Sequence, residues 1–576
     1  MKKKNILTKE WFLRILPLIL IANFFFIVIY YSITYTTQKT LEDLLIQIEP
    51  IFLTVNFALI LISLFFSLND IRKILKPIKR RTWIILLFIL FVGFVLRMYF
   101  TPHTHRVYFD EDIYLDIGKQ ILTERKACLC NYGDYKGCYD CILMKWPNGH
   151  PFTFAVAFLL FGVSENVAFN LSVLLGTLSI LLVFLIGYLI SKKVEIGLYS
   201  ALLFAFVPML IVWSGTVAGE PFYIFYTLLA VFCFLLLLEK EKWSTYLLAA
   251  SSIAFASQFK AESGAVITII AFLMLLFDNK LKFKLNSSKF LVSFIILLAL
   301  ITPYVIHIYH SSKTDPWGAT GNKFGLEFVV KNASENALFW IKGYDTIEHP
   351  FVFTIFAIIG LIYTFINERK VFTFLALWFF MFFAIYASFY AGSVRYGTDV
   401  RYSLNGYPPF VLLGGFGLYF IHKKLTNKVR RDIIIFALLF LVVVVTFYFY
   451  LPSVSTPADK IVEANQARVY HDKFVEYASK LDKNCYILSH VPSMYLIENV
   501  GSLQTWNGQN ENIMRELFKK TDCVIFDDGF WCNIEPYKSS VCKHMFDKYN
   551  ITVLTNVSID EGTHSYTLYK VSNPFK

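Results

Sequence analysis

Long apolar runs recur along most of this 576-residue chain, and they limit what it can fold into more than any motif does. Thirteen stand out, at roughly 12–33, 49–68, 82–100, 166–190, 197–213, 220–238, 244–257, 263–277, 289–309, 350–366, 371–390, 406–421 and 431–451. Lipid offers the backbone no hydrogen-bond partner, so such runs are read as membrane-crossing helices, each pairing its own N–H and C=O groups. Composition agrees, with 56% hydrophobic and only 17% charged residues and a mean hydropathy of +0.54. That is the signature of a polytopic membrane protein, not of several soluble domains. The N-terminal stretch "MKKKNILTKEWFLRILPLIL" lacks a small-residue cleavage site after its apolar run and is read as a retained helix.

Orientation follows from the loops. Lys and Arg cluster at the N-terminus (Lys2, Lys3, Lys4) and in "NDIRKILKPIKRR" (69–81), "SKK" (191–193), "EKEK" (239–242), "DNKLKFKLNSSK" (278–289), "NERK" (367–370) and "HKKLTNKVRR" (422–431). With thirteen helices all of these fall on one side, which the positive-inside rule makes cytoplasmic. The net charge of +12 is then a topology signal, and no nucleic-acid partner is expected. Segments 101–165, 214–219, 258–262, 310–349 and 391–405 and everything after 451 lie on the other side, and they hold nearly all residues able to do chemistry.

Eight of the nine cysteines also fall there, four in "CLCNYGDYKGCYDC" (Cys128, Cys130, Cys138, Cys141) and four in the tail (Cys485, Cys523, Cys532, Cys542). Two even quartets suit local disulfides in an oxidising compartment, and the first spacing would also suit a structural zinc site. After residue 451 the composition turns polar and helix and strand patterns alternate. Residues 452–576 are therefore expected to form an extracytoplasmic soluble α/β domain that docks or recognises an acceptor, behind a membrane domain at 1–451.

The stretch "RVYFDEDIYLDIGKQIL" (106–122) places Asp110, Glu111 and Asp112 just after the third apolar run. Tyr114, Ile117, Ile121 and Leu122 repeat at helical spacing against Asp116, Lys119 and Gln120, which predicts an amphipathic helix lying on the membrane with the acids at its N-terminal end. Asp112 is read as an ordinary solvated acid. The same loop closes with Lys145 and His150 in "KWPNGHPF". Later outer turns add Glu220, then Lys260 and Glu262, then Arg395, Asp399 and Arg401 in "VRYGTDVRYSLNGYPP". Their shared face of the membrane makes them one candidate site.

This ordered series resembles the GT-C membrane glycosyltransferases: Asp110-Glu111-x-x-Tyr114 after an early helix, the basic-Pro element "GHPF" (149–152), the acid of "SGTVAGE" (214–220), Lys260 between two later helices, and "DVRYSLNGYPP" (399–409). Within them it is most similar to the protein O-mannosyltransferase and aminoarabinose-transferase-like branch, which includes the dolichyl-phosphate-mannose-protein mannosyltransferases, over about residues 82–451. Three features depart from that branch: two helices precede the one leading into the acidic loop, the basic element reads His150-Pro151-Phe152, and the cysteine cluster is an insertion. No Trp-Trp-Asp-Tyr-Gly signature is present, which argues against an oligosaccharyltransferase subunit.

The resemblance implies transfer of one sugar, with inversion, from a polyprenyl- or dolichyl-phosphate carrier to an exofacial protein, glycan or lipid acceptor. A lipid phosphate is already a good leaving group, so the reaction needs a base for the acceptor hydroxyl and cations for the departing phosphate. Asp110 is the expected base and Glu111 an orienting group. Lys260, Arg401 and one of His150 and Lys145 would face the phosphate, with Glu220, Tyr114, Tyr402 and Asp399 toward sugar or acceptor. No cofactor is required, a divalent ion held through His103 and His105 being the minor alternative. A transporter or flippase of lipid-linked precursors would show internal repeats and mid-membrane charges, and a non-catalytic lipid-binding scaffold would not need Asp110. The sequons at Asn332, Asn550 and Asn556 and a composition suited to an archaeal source are consistent with an outer face.

Overall fold

The computed structural model of the protein describes residues 2–575 except 108, 278–286, 315–322, 344–348, 395–400, 426–430, 451–469, 471–472 and 560–563. The first helices in chain order are α1 (Lys2–Tyr35), α2 (Gln38–Leu75), α3 (Arg80–Tyr99), α4 (Asp110–Thr123), α5 (Gly149–Phe161), α6 (Glu165–Ser191), α7 (Val194–Phe206), α8 (Pro208–Ser214), α9 (Gly219–Glu239), α10 (Trp243–Ala256) and α11 (Ala265–Phe277). The helices Ser288–Thr314, Phe351–Asn367, Arg369–Ser388, Tyr407–Leu425 and Arg431–Val445 follow. Each apolar run therefore lies on helix. Among the described residues, seven helices are long and apolar enough to cross a membrane, or eight if the bent pair α7 and α8 is one broken span, and four shorter apolar helices join them.

The outermost helices turn their large apolar side chains outward. Phe24, Phe65, Phe66, Phe88 and Phe91 are 61–69% exposed, an arrangement that water penalises and lipid favours. Inward-facing residues of α6, α7 and α9 are almost fully buried and carry a large share of the core.

The break between α7 and α8, a bend of 62°, follows from Pro208, whose nitrogen has no hydrogen to return to the carbonyl of Phe204. Arg97 of α3, with no exposed surface, meets that need: its guanidinium donates to the carbonyls of Phe204 (3.3 Å), Ala205 (3.2 Å) and Gly93 (2.9 Å). A buried arginine is thus used to satisfy freed backbone within an apolar layer.

Beyond the helical layer stands one seven-stranded sheet in the order β2-β1-β4-β3-β5-β7-β6. Its strands are β1 (Leu129–Asp134), β2 (Gly137–Ile142), β3 (Tyr486–Ser489), β4 (Gly501–Gln504), β5 (Val524–Asp528), β6 (Ile551–Ile559) and β7 (His564–Val571). The central β4-β3-β5 set is parallel and both flanks are antiparallel. Two of the seven strands thus come from the loop after α3: the hairpin β1-β2 joins the tail through Tyr132 opposite Leu503 and Gly133 opposite Ser502. The cysteines pair inside their own quartets, Cys128–Cys141 and Cys130–Cys138 across the hairpin, Cys485–Cys523 and Cys532–Cys542 in the tail.

That hairpin alters the reading of α4. Asp116 and Gln120, expected on a solvent face, are buried, because Asp116 accepts the Cys130 N–H (2.8 Å) and the Gln120 amide (3.0 Å). The helix is covered on both sides, by membrane helices and by the stapled hairpin, instead of lying half-wet on a surface. Asp112 is likewise buried and faces His105 (3.7 Å), not solvent. Asn332, the first sequon residue, is buried too, its amide donating to the carbonyls of Ala387 and Phe389 (3.2 and 2.7 Å).

Candidate active site

Helix α4 starts at Asp110, so the acids occupy the positive end of its dipole. Glu111 turns inward with no exposed surface, and its carboxylate accepts three backbone N–H groups, from Arg106 (2.7 Å), Val107 (3.0 Å) and, across the site, Val217 (2.8 Å). It therefore ties the loop before α4 to the turn after α8. Asp110 faces the other way, into a cavity of about 400 Å³ that Lys145 and Arg401 also line.

Burial raises the Asp110 pKa above the ordinary aspartate value; Arg401, Lys145 and Lys260 pull it back down, and Glu220 adds to the rise. A carboxylate poised in this way is a better proton acceptor than a solvated one.

Next to Asp110 stands a compact ionic cluster. Glu220, at the start of α9, is ion-paired with Lys260, and Glu262 lies 3.8 Å from the same ammonium. Burial lowers the Lys260 pKa, but the two carboxylates outweigh it and hold the ammonium above the usual lysine value, so it is charged across the neutral range. The Tyr386 hydroxyl donates to Glu262 (3.3 Å) and accepts from the Asn405 amide, which ties the turn to the segment that carries Arg401.

Two networks hold the Lys145 segment in place. Gly149 donates its N–H to the Gln258 carbonyl (2.9 Å), and a Cβ on Gly149 would meet that oxygen at 2.4 Å, so only glycine permits the approach. Below it, Glu49 of α2 pairs with His307 (2.6 Å) and accepts from the Asn148 amide, while His307 also reaches the Met144 carbonyl (2.8 Å). Sequence reasoning passed over Glu49 and His307, although a glutamate and a histidine in apolar helices are themselves a signal.

The expected basic pair divides. Lys145 lines the cavity with its ammonium 5.2 Å above the Trp146 ring. His150 is buried in an aromatic box of Tyr114, Phe154 and Phe222, with ring centroids 4.5–4.7 Å away, and burial drives it to the neutral form. Tyr114 packs on Trp146 and His150 and does not line the cavity. Asp399, Arg395 and the Tyr402 side chain lie outside the described residues. His103 stacks on Phe169, whereas His105, Asp112 and Glu165 each offer a ligand atom within 4.8 Å of one another, a set able to hold a metal ion that does not include Asp110.

Comparisons with known proteins bear on this geometry. Residues 145–307 match the family described as dolichyl-phosphate-mannose-protein mannosyltransferase. A search of curated proteins returns no match. Among solved structures, ArnT from Cupriavidus metallidurans bound to undecaprenyl phosphate superposes with a TM-score of 0.55 at 11% identity, covering 86% of this chain and 100% of that one. Apo ArnT from the same organism gives 0.54 at 11%, with 84% and 97% covered. The Archaeoglobus fulgidus oligosaccharyltransferase in the apo form gives 0.47 at 12%, with 86% and 75% covered. Residues 145–307 are thus similar to the dolichyl-phosphate-mannose-protein mannosyltransferase family, and the fold of the chain is similar to that of ArnT.

Proposed function

We propose that the protein is a membrane glycosyltransferase that moves a single sugar from a polyprenyl-phosphate carrier to an acceptor hydroxyl, with inversion. The observation that carries this reading is the cavity whose floor places Asp110 beside Lys145 and Arg401, next to the Glu220–Lys260 pair. The acceptor hydroxyl gives its proton to Asp110 as its oxygen attacks the anomeric carbon. The bond from that carbon to the phosphate oxygen breaks, and the phosphate leaves with the electron pair. Arg401 and Lys145 take up the charge that develops on it, Arg401 with a planar fork suited to two phosphate oxygens. Lys260 is committed to Glu220 and Glu262 and orients the far side of the site, with Glu220 available to sugar hydroxyls. Glu111 positions Asp110 by fixing the first turn of α4.

The ArnT relative is bound to undecaprenyl phosphate, which supports a polyprenyl-phosphate donor here. The proposed topology has thirteen spans, a cytoplasmic N-terminus and the site on the outer face of the cell membrane. In the proposed division, residues 1–451 hold the chemistry and residues 452–576 meet the acceptor. The test is reconstitution of purified protein with polyprenyl-phosphate-linked hexoses and pentoses and a panel of acceptors, reading product by mass and anomeric configuration by NMR. Sugar transfer with inverted configuration is the expected result; retention of configuration, or transfer only from a nucleotide sugar, would overturn the reading.

A further inference from the structure

The cavity above Asp110 has a roof, and its chemistry differs from that of the floor. The tail sheet supplies it. Of the three parallel strands β3 comes first in the chain, and β4 and β5 add on either side of it, so the chain order reverses at β3. In open parallel sheets such a switch leaves a crevice beyond the carboxyl ends of the strands, where ligands bind. Here those ends point at the membrane site: His490 and Ser493 follow β3, Gln504 ends β4 with Trp506 just after it, and Trp531 follows β5, all lining the cavity. Asn131 of the stapled hairpin completes this wall and takes the Gln504 amide at 3.4 Å.

None of these six carries a charge at neutral pH, because burial holds the His490 pKa at about 4. Among the described lining residues the charges are confined to the floor, on Asp110, Lys145 and Arg401. Indole faces are electron-rich and attract the weakly positive C–H groups of a pyranose ring, while planar amides, a hydroxyl and an imidazole match its neutral hydroxyls. A volume of about 400 Å³ is that of a small-molecule pocket and has room for sugar rings. An anionic headgroup would find no cation in the roof.

We infer that the tail and hairpin form an acceptor subsite for a neutral pyranose ring, with Trp506 and Trp531 as its platforms and Gln504, Asn131 and His490 as its polar contacts. The acceptor is then a glycan terminus, a substrate class that rests on the glycosyltransferase reading above. Binding itself needs no transfer, so the two are separable by experiment.

The test titrates full-length protein in lipid nanodiscs with neutral methyl hexopyranosides and hexose oligosaccharides, with a Ser/Thr-rich peptide and with a hexose phosphate, reading saturation-transfer NMR and calorimetry. Saturable binding of the neutral sugars is expected. Trp506→Ala and Gln504→Ala should weaken it about fivefold to tenfold each, and Trp531→Phe, which keeps the aromatic packing, by less. Transfer is assayed alongside, and saturable sugar binding without transfer would uphold this subsite while overturning the glycosyltransferase reading. Sugar binding that none of the three roof variants alters, no saturable binding of neutral sugars, or tighter binding of the peptide or the phosphate would each overturn the proposal.

Discussion

The floor and the roof of one cavity teach opposite lessons about how a site is built. The floor comes from helix ends and turns of the membrane layer and concentrates charge: Asp110, Lys145 and Arg401, with Glu220, Lys260 and Glu262 behind them. The roof comes from the carboxyl edge of a sheet and offers indoles and amides without formal charge. Charge in a low-dielectric floor changes the energy of a transition state; neutral, well-shaped groups in the roof change which molecule sits there. Substitutions in the two regions should therefore separate kinetically, the floor moving kcat and the roof moving acceptor KM.

The largest expected effect is at Asp110. Replacing it with Asn should lower kcat on the order of 10²–10⁴-fold, measured as sugar transferred per enzyme under saturating donor. The fold should not suffer. Burial raises the Asp110 pKa, so folding disfavours its ionised form at neutral pH, and the neutral amide removes that cost. Thermal unfolding in detergent should show an unchanged or higher Tm for Asp110→Asn, whereas a lost Tm would mean that the carboxylate is structural.

Arg401→Gln comes next, with transfer reduced about 10²–10³-fold, the scale of a lost transition-state charge contact. It also carries a signed pH prediction. The base works only when deprotonated, so kcat/KM falls on the acid side through the Asp110 pKa, which lies above the ordinary aspartate value. Arg401 is the strongest of the groups that pull this pKa down, and its removal should move the acid limb of the profile to higher pH. Lys145→Gln should move it the same way by less, and a downward shift in either variant would contradict the assignment.

Glu111→Gln should act through stability. The amide keeps one acceptor oxygen but turns an NH2 group toward backbone donors that the carboxylate satisfies, at a cost of about 1–3 kcal/mol in unfolding free energy. The smallest effects belong to the roof. Trp531→Ala should raise acceptor KM by an amount equivalent to about 0.5–1.5 kcal/mol while kcat stays near wild type. Loss of kcat there instead would erase the distinction between floor and roof.

Much of the floor was legible in the sequence because it is made of short ionisable stretches at the ends of apolar runs, and apolar runs are the strongest signal a chain carries. Counting helices predicts one face for Asp110, Lys145, Glu220, Lys260 and Arg401, and in the structure Asp110, Lys145 and Arg401 line one cavity while Glu220 pairs with Lys260. What could not be read was long-range. The pairing of Tyr132 with Leu503 joins residues far apart in the chain and leaves no local pattern, so the sequence predicts only local disulfides there and puts Asp116 on the polar face of an amphipathic helix. The nested cysteine spacing around "DYKG", matching Cys130–Cys138 inside Cys128–Cys141, was the one available hint of a hairpin. Glu49 and His307 were hidden differently: each is a lone polar residue in an apolar helix, and only the fold brings them within 2.6 Å.

The account stands on Asp110 as the group that takes the acceptor proton. The most direct measurement compares wild type, Asp110→Asn and Asp110→Glu in single-turnover transfer from a bound polyprenyl-phosphate sugar, with donor affinity measured alongside. Near-total loss of transfer in Asn, partial recovery in Glu and unaltered donor affinity in both is the predicted result. Wild-type transfer rates in Asp110→Asn would contradict it.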